Sequence, residues 1–151
     1  VRKQLAPGEE YQINHGILDM MQEGYQFKPG KVAEWMDCGN PKVTLETNSK
    51  MLGILSAEGQ PLVAEDVVLE NSTIVPPCVI GEGVRLTNAT VGPNVSIGSH
   101  TEISNAQIQD SLIQEHSKIE NASLKDAMIG NHVYFNGSFT SISIGDYSQL
   151  K

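Results

Sequence analysis

Ile97-Gly98-Ser99-His100, Ile113-Gln114-Glu115-His116 and Ile129-Gly130-Asn131-His132 are one four-residue phrase repeated at intervals of 16 residues. The phrase extends in both directions, to Ile80-Gly81-Glu82-Gly83 upstream and Ile144-Gly145-Asp146-Tyr147 downstream. A second phrase runs between the copies of the first: Glu70-Asn71-Ser72-Thr73, Thr87-Asn88-Ala89-Thr90, Ser104-Asn105-Ala106-Gln107 and Glu120-Asn121-Ala122-Ser123. Aliphatic residues mark a shorter step at Val63, Val68, Ile74, Ile80, Leu86, Val91, Ile97, Ile103, Ile108, Ile113, Ile119, Leu124 and Ile129, ending on Phe135. Each step is five or six residues. Neither the helical period of about 3.6 nor the strand period of 2 produces that spacing.

A step near six, with every third step alike, predicts a parallel β-helix of hexapeptide repeats. Three hexads make one coil, so like sides stack in register on a triangular prism. At each step an aliphatic residue points inward. Four positions later a second inward residue follows, usually small: Cys78, Val84, Val95, Thr101, Ser117, Val133. Gly and Asn gather where the chain turns a corner with positive φ. Coils stack at the strand spacing of about 4.8 Å. About five coils fit between Val63 and Ser148. Hexapeptide prisms of the known kind are left-handed, an exception to the usual right-handed crossover.

Composition agrees. The chain has 151 residues and eight aromatic side chains, Tyr11, Tyr25, Phe27, Trp35, Tyr134, Phe135, Phe139 and Tyr147. None lies between Met36 and Val133, as a prism too narrow for rings requires. The rings of Tyr134, Phe135 and Phe139 then fall in the last coil, where a cap is needed. The net charge of −8 argues against nucleic acid and anionic membrane as partners. Residues 53–151 hold eleven of the 18 acidic residues and only four of the ten basic ones. No run of about 18 apolar residues is present to span a membrane. No signal peptide is evident, and the two cysteines, Cys38 and Cys78, fit a reducing cytoplasm. The chain opens on Val1 rather than Met, which fits a piece of a longer protein.

The first third reads differently. Asn14 is placed to cap a short helix in which Ile17, Leu18 and Met21 share a face, with Gly24 just past its end. Tyr25–Phe27 and Val32–Met36 have the composition of short strands, joined by the turn sequence Lys28-Pro29-Gly30-Lys31. Asn40-Pro41 starts a second helix, predicted to run to about Leu52. A polar connector, Gly53 to Pro61, leads to the repeats. This divides the chain into a small α/β part, residues 1–55, and a β-helix, residues 60–151.

Trp35-Met36-Asp37-Cys38-Gly39-Asn40-Pro41, followed by Leu45-Glu46-Thr47-Asn48, resembles the Trp-x-Asp-Thr-Gly segment and following helix of sugar-1-phosphate nucleotidyltransferases, the glucose-1-phosphate thymidylyltransferase type. Upstream, Gly8-Glu9-Glu10-Tyr11-Gln12-Ile13-Asn14-His15 is similar to that family's Gly-Glu segment ending in Thr-Asp. Met20-Met21-Gln22-Glu23-Gly24 matches its helix end. Long members also carry a C-terminal hexapeptide β-helix. The resemblance covers nearly the whole chain in order. It implies that this is the C-terminal portion of an enzyme moving a nucleotidyl group from a nucleoside triphosphate to a sugar 1-phosphate. It further implies that Asp37 helps hold a catalytic Mg²⁺, and that Trp35, Gln12 and Asn14 face the sugar. A carboxylate is the ligand that a hard cation takes. Cys38 stands where the family has Thr, and Asn14-His15 where it has Thr-Asp, so the sugar is left open. The Gly-rich basic loop that cradles triphosphate is absent from these residues, so the chain alone is expected to be inactive. The resemblance gives the β-helix a role in assembly, with prisms packed as a homo-oligomer, a trimer in particular.

Two columns remain. His100, His116 and His132 share one position, continued by Asp66 and Gly83 before and Tyr147 after. They read as a polar corner, as a shared metal site, or as the general base of a hexapeptide acyltransferase. Asn71, Asn88, Asn105 and Asn121 read as an amide ladder along an edge, since Asn-x-Ser/Thr is glycosylated only in a secreted protein.

Overall fold

The hexads fold into strands of two or three residues, each separated from the next by a tight corner. The structure, a computed structural model, describes residues 12–36, 38–137 and 142–150. These contain two helices, α1 (Ile13–Gln22) and α2 (Pro41–Ala57), followed by fifteen strands. The chain divides into two compact units, Val1–Trp35 and Met36–Lys151.

The second unit is a parallel β-solenoid of about five turns. Its strands form three sheets. The six-stranded face holds Val68–Glu70, Arg85–Thr87, Glu102–Ser104, Lys118–Glu120, Tyr134–Asn136 and Gln149–Leu150. The four-stranded face holds Thr73–Ile74, Thr90–Val91, Gln107–Gln109 and Ser123–Lys125. The five-stranded face holds Cys78–Ile80, Val95–Ile97, Leu112–Ile113, Met128–Ile129 and Ser143–Ile144. Every pairing is parallel and in register one coil apart, for example Leu86 with Ile103 and Ile103 with Ile119. The core is therefore three vertical aliphatic columns. Leu86, Val91, Ile97, Ile103, Ile108, Ile113, Ile119, Leu124 and Ile129 are all buried. The small second residue of each hexad is buried as well: Cys78, Val84, Val95, Thr101, Ser117 and Val133.

The corners show why Asn, Asp and His recur there. Asn71, Asn88, Asn105 and Asn121 have φ between 48° and 53°, and His100, His116 and His132 between 54° and 57°. Side chains that bond locally are the non-glycine residues best able to take this left-handed conformation. A third such column, Asn94, Asp110 and Asp126, turns the chain between the four- and five-stranded faces. Gly92 is constrained most. At φ 108°, a Cβ there would run into the carbonyl oxygen of Val75.

Several expectations are corrected. In the first coil the residue in register with Leu86 is Leu69, while Val68 pairs with Arg85 and points outward. Both are aliphatic neighbours, and only the pairing fixes the phase. Phe135 is fully buried and its strand pairs with Gln149–Leu150, so its ring belongs to the stack and is not an end cap, and the interior is wide enough for a ring at this coil. Phe139 lies outside the described residues. Helix α1 begins at Ile13 with Gln12 as its uncapped N-cap residue, placing Asn14 inside the first turn. Tyr25–Phe27 and Val32–Met36 form no strand. A short β-prone run needs an edge to pair with, and composition does not supply one.

Helix α2 starts as predicted. Asn40 caps it, its Oδ1 accepting from Val43 N at 3.1 Å, with Pro41 in the first turn. It continues through Gly53 to Ala57, past Leu52. Tertiary packing carries it through the glycine: Leu52 is buried, and the helix lies against the strand Val95–Ile97 of the five-stranded face. There Ser96 Oγ donates to Asn48 Oδ1 at 2.7 Å. No helix among the described residues is long and apolar enough to cross a membrane.

Candidate functional site

The residues assigned to the sugar are placed as follows. Gln12 and Asn14 are exposed and open the same helix, α1. Trp35 is 81% exposed, with its indole uncovered. Asp37, assigned to the metal, lies outside the described residues. The segment just after it is braced. Thr44 Oγ1 donates to the carbonyl of Asn40 (2.9 Å) and also lies 3.2 Å from that of Cys38. With the Asn40 cap, these bonds tie Cys38–Asn40 to the first turn of α2, and α2 is seated on the solenoid.

Between α2 and the solenoid runs a cleft of about 790 Å³. Leu45, Met128 and Ile142 form apolar wall, and Lys42, Glu46, Lys50, Asp110 and Asp126 bring both signs of charge to its rim. The sequence reading missed this cleft. Its one available signal was the spacing of 16 between Asp110 and Asp126, which places them in one column. Deeper on the same contact, Asn48 Nδ2 is buried without a hydrogen-bond partner. Asn48 thus docks the helix through its carbonyl alone.

The histidine column forms. The rings of His100, His116, His132 and Tyr147 stack with centroids 5.1, 5.0 and 4.8 Å apart and interplanar angles of 21°, 1° and 11°. Gly83 completes the column because the His100 ring lies over it: a Cβ on Gly83 would collide with His100 Nδ1. Imidazole lone pairs lie in the ring plane. Stacked rings therefore aim them side by side, not at a common point, and a shared metal is disfavoured. No group of three or more His, Cys, Asp or Glu among the described residues could hold a metal ion. All three histidines are exposed on a convex corner, and neither of the two main clefts is lined by one. The column covers one edge of the solenoid with stacked rings.

The asparagine column is a hydrogen-bonded ladder. Each Nδ2 donates to the next Oδ1: Asn71 to Asn88 at 2.8 Å, Asn88 to Asn105 at 3.3 Å, Asn105 to Asn121 at 3.2 Å and Asn121 to Asn136 at 3.1 Å. Buried hydroxyls bridge coils from inside. Ser117 Oγ donates to Gly130 O (2.9 Å) and accepts from Val133 N (3.2 Å). Ser111 Oγ accepts from Ala127 N at 3.1 Å.

On the six-stranded face, Tyr134 OH donates to Glu120 Oε2 at 2.8 Å and Lys118 Nζ lies 3.0 Å from Glu120 Oε1. The tyrosine bond, then the lysine, holds the Glu120 carboxyl below its ordinary range, and Glu120 in turn raises Lys118. This is a solvated surface cluster, not a site. Burial pushes the Cys78 thiol up, against a smaller lowering from the backbone at Val95, so Cys78 is an inert core thiol.

Comparison with protein-family models gives no match, and comparison with curated proteins gives none. The fold defines the class that the observations reach: a three-sided parallel β-solenoid with a capped helix laid on one face.

Proposed function

We propose that this chain is the C-terminal portion of a sugar-1-phosphate nucleotidyltransferase. The parent enzyme transfers a nucleotidyl group from a nucleoside triphosphate to a sugar 1-phosphate with Mg²⁺ and releases pyrophosphate. The observation that carries the reading is an order of parts. A Trp-x-Asp-x-Gly segment, Trp35 to Gly39, runs directly into a helix capped by Asn40 and Pro41, and that helix leads into a hexapeptide solenoid.

Asp37 supplies a carboxylate of the kind Mg²⁺ takes, and Mg²⁺ when bound would screen the approach of two phosphates. Trp35 offers an indole face to a sugar ring, with Gln12 and Asn14 as hydrogen-bonding groups. The bonds from Thr44 to the carbonyls of Cys38 and Asn40 support a positioning role for the start of α2. The solenoid serves assembly. The exposed, convex histidine corner argues for this over an acyltransferase.

The test is pyrophosphate release by the protein of the full reading frame that contains these residues, assayed against nucleoside triphosphates and sugar 1-phosphates. Release that requires Mg²⁺ and is lost in Asp37→Asn supports the reading. Acetyl transfer from acetyl-coenzyme A that is lost in His116→Ala would replace it.

A further inference from the structure

We propose that the cleft between α2 and the solenoid binds a small organic cation, an ammonium group carried on an apolar body. Such a ligand is neither a nucleoside triphosphate nor a sugar phosphate, so the site is separate from the one proposed above and stands or falls without it.

The cleft exists because α2 is seated unevenly. Asn48 is held by Ser96 Oγ at 2.7 Å, and Leu52 is buried. Leu45 lies on the same helical stripe, seven residues before Leu52, yet it is only half-buried. Beside this first half of the helix the contact opens into about 790 Å³, over the strands Met128–Ile129 and Ser143–Ile144. Small-molecule sites are typically clefts of about 300–1,000 Å³ with apolar walls and a few converging polar groups. Here Leu45 on the helix, with Met128 and Ile142 on the solenoid, provides the apolar surface.

The charge at the rim is more than the turn requires. At this corner Asn94, Asp110 and Asp126 have φ of 60°, 48° and 52°. Asp110 and Asp126 are one coil apart, since Gln109 pairs with Lys125 and Leu112 with Met128. Asparagine fills the comparable column Asn71, Asn88, Asn105 and Asn121, where each amide donates to the next. Asn94 Nδ2 likewise donates to Asp110 Oδ1 at 2.9 Å. The following step sets carboxylate over carboxylate at the coil spacing of about 4.8 Å, and neither has a proton to donate. Like charges at that distance repel. Asparagine would make the turn without this repulsion, and the two aspartates stand where the column borders the cleft.

Glu46 adds a third carboxylate from α2, against Lys42 and Lys50. Three negative and two positive groups leave the cleft a net charge of −1, which one ammonium balances. Residues 53–151, with eleven acidic and four basic residues, surround it with a field of the same sign. A bare metal ion is the poorer fit. Among the described residues no three His, Cys, Asp or Glu side chains come together to hold one, and a metal ion would leave the apolar surface in contact with water.

Titration of the isotope-labelled full chain with cyclohexylmethylamine, followed by amide NMR shifts at fixed pH and ionic strength, tests this. Cyclohexylmethanol and cyclohexanecarboxylate present the same ring without charge and with a negative charge. The amine is expected to bind with a Kd on the order of 1 mM, reasonable for so small a ligand, with saturating shifts at Leu45, Met128 and Ile142. The alcohol and the acid are expected to bind about tenfold more weakly or less. Asp110→Asn/Asp126→Asn, which installs the residue that Asn94 shows this corner accepts, is expected to weaken the amine by about the same factor. Met128→Lys, which puts a fixed ammonium into the cleft, is expected to abolish saturable binding. Glu70→Gln/Glu102→Gln makes the same change in net charge on the six-stranded face and is expected to bind like wild type. No saturable shift up to about 20 mM, equal affinity for amine and alcohol, or shifts confined to another surface overturns the proposal. So does undiminished amine binding in both cleft variants, or a Glu70→Gln/Glu102→Gln variant that loses as much as the aspartate variant.

Discussion

Placing a ring at Ile103 tests the packing that the repeat implies. Ile103 is buried in mid-stack, directly between Leu86 and Ile119, which have no exposed surface. The coils on either side cannot part to admit a larger side chain. They are clamped by backbone bonds on the same strands, Arg85 N to Thr101 O at 3.0 Å and Glu102 N to Ser117 O at 2.9 Å. A phenyl group at residue 103 must displace the neighbouring columns or break those bonds. Overpacking of a dense core costs about 1–3 kcal/mol. With both neighbours fixed, Ile103→Phe is expected at the top of that range, about 3 kcal/mol. Ile103→Ala loses three buried carbons and leaves a cavity, for about 3–4 kcal/mol. Phe135→Leu, in the same column but near its end, keeps most of the volume and is expected to cost less than about 1.5 kcal/mol. Urea titration followed by far-UV circular dichroism measures all three. The stack admits one ring near its end, at Phe135; an Ile103→Phe protein that unfolds at the wild-type urea concentration would refute the claim that mid-stack has no room for another.

Three further outcomes follow from the corners and the core thiol. Gly92→Ala meets both a φ of 108° and the Val75 carbonyl, and is expected to lose about 3 kcal/mol or more, visible as a lowered thermal midpoint or insoluble expression. Asn105→Ala removes two ladder bonds and puts alanine at φ 51°, for about 1–2 kcal/mol. Asn105→Gly, free of the backbone strain, should cost less in the same chemical melt. Cys78, whose thiol is raised by burial, should resist a thiol reagent in the native protein and react after unfolding, whereas exposed Cys38 reacts at once. Because the folded state holds the Cys78 proton more tightly, that contribution to stability is complete below the ordinary thiol pKa of about 8.5. It is lost as the pH rises above that value, and Cys78→Ala should flatten the alkaline limb of the stability profile.

The solenoid was legible because its period is a property of the chain alone. Ile97, Ile113 and Ile129 are far apart in sequence yet identical in context, and stacking follows from that identity. Phase was less legible than period: Val68 and Leu69 are both aliphatic, and only pairing with the next coil selects Leu69. Helix α2 began where Asn40-Pro41 says, but its end depends on Leu52 being buried against the solenoid, a contact that local propensity does not encode. The runs Tyr25–Phe27 and Val32–Met36 failed as strands for the same kind of reason, since a strand is defined by its neighbour. Trp35, Gln12 and Asn14 stood out by resemblance, and their exposure is compatible with binding without fixing a geometry. Beyond the spacing of Asp110 and Asp126, the cleft beside α2 left no mark in the sequence, because Lys42 and Lys50 come to line it with them only when the helix docks.

The most direct measurement of the central claim is Mg²⁺-dependent pyrophosphate release from a nucleoside triphosphate and a sugar 1-phosphate by the protein of the full reading frame. The account predicts release with at least one such pair, lost in Asp37→Asn. No release with any pair, or full activity in Asp37→Asn, would contradict it.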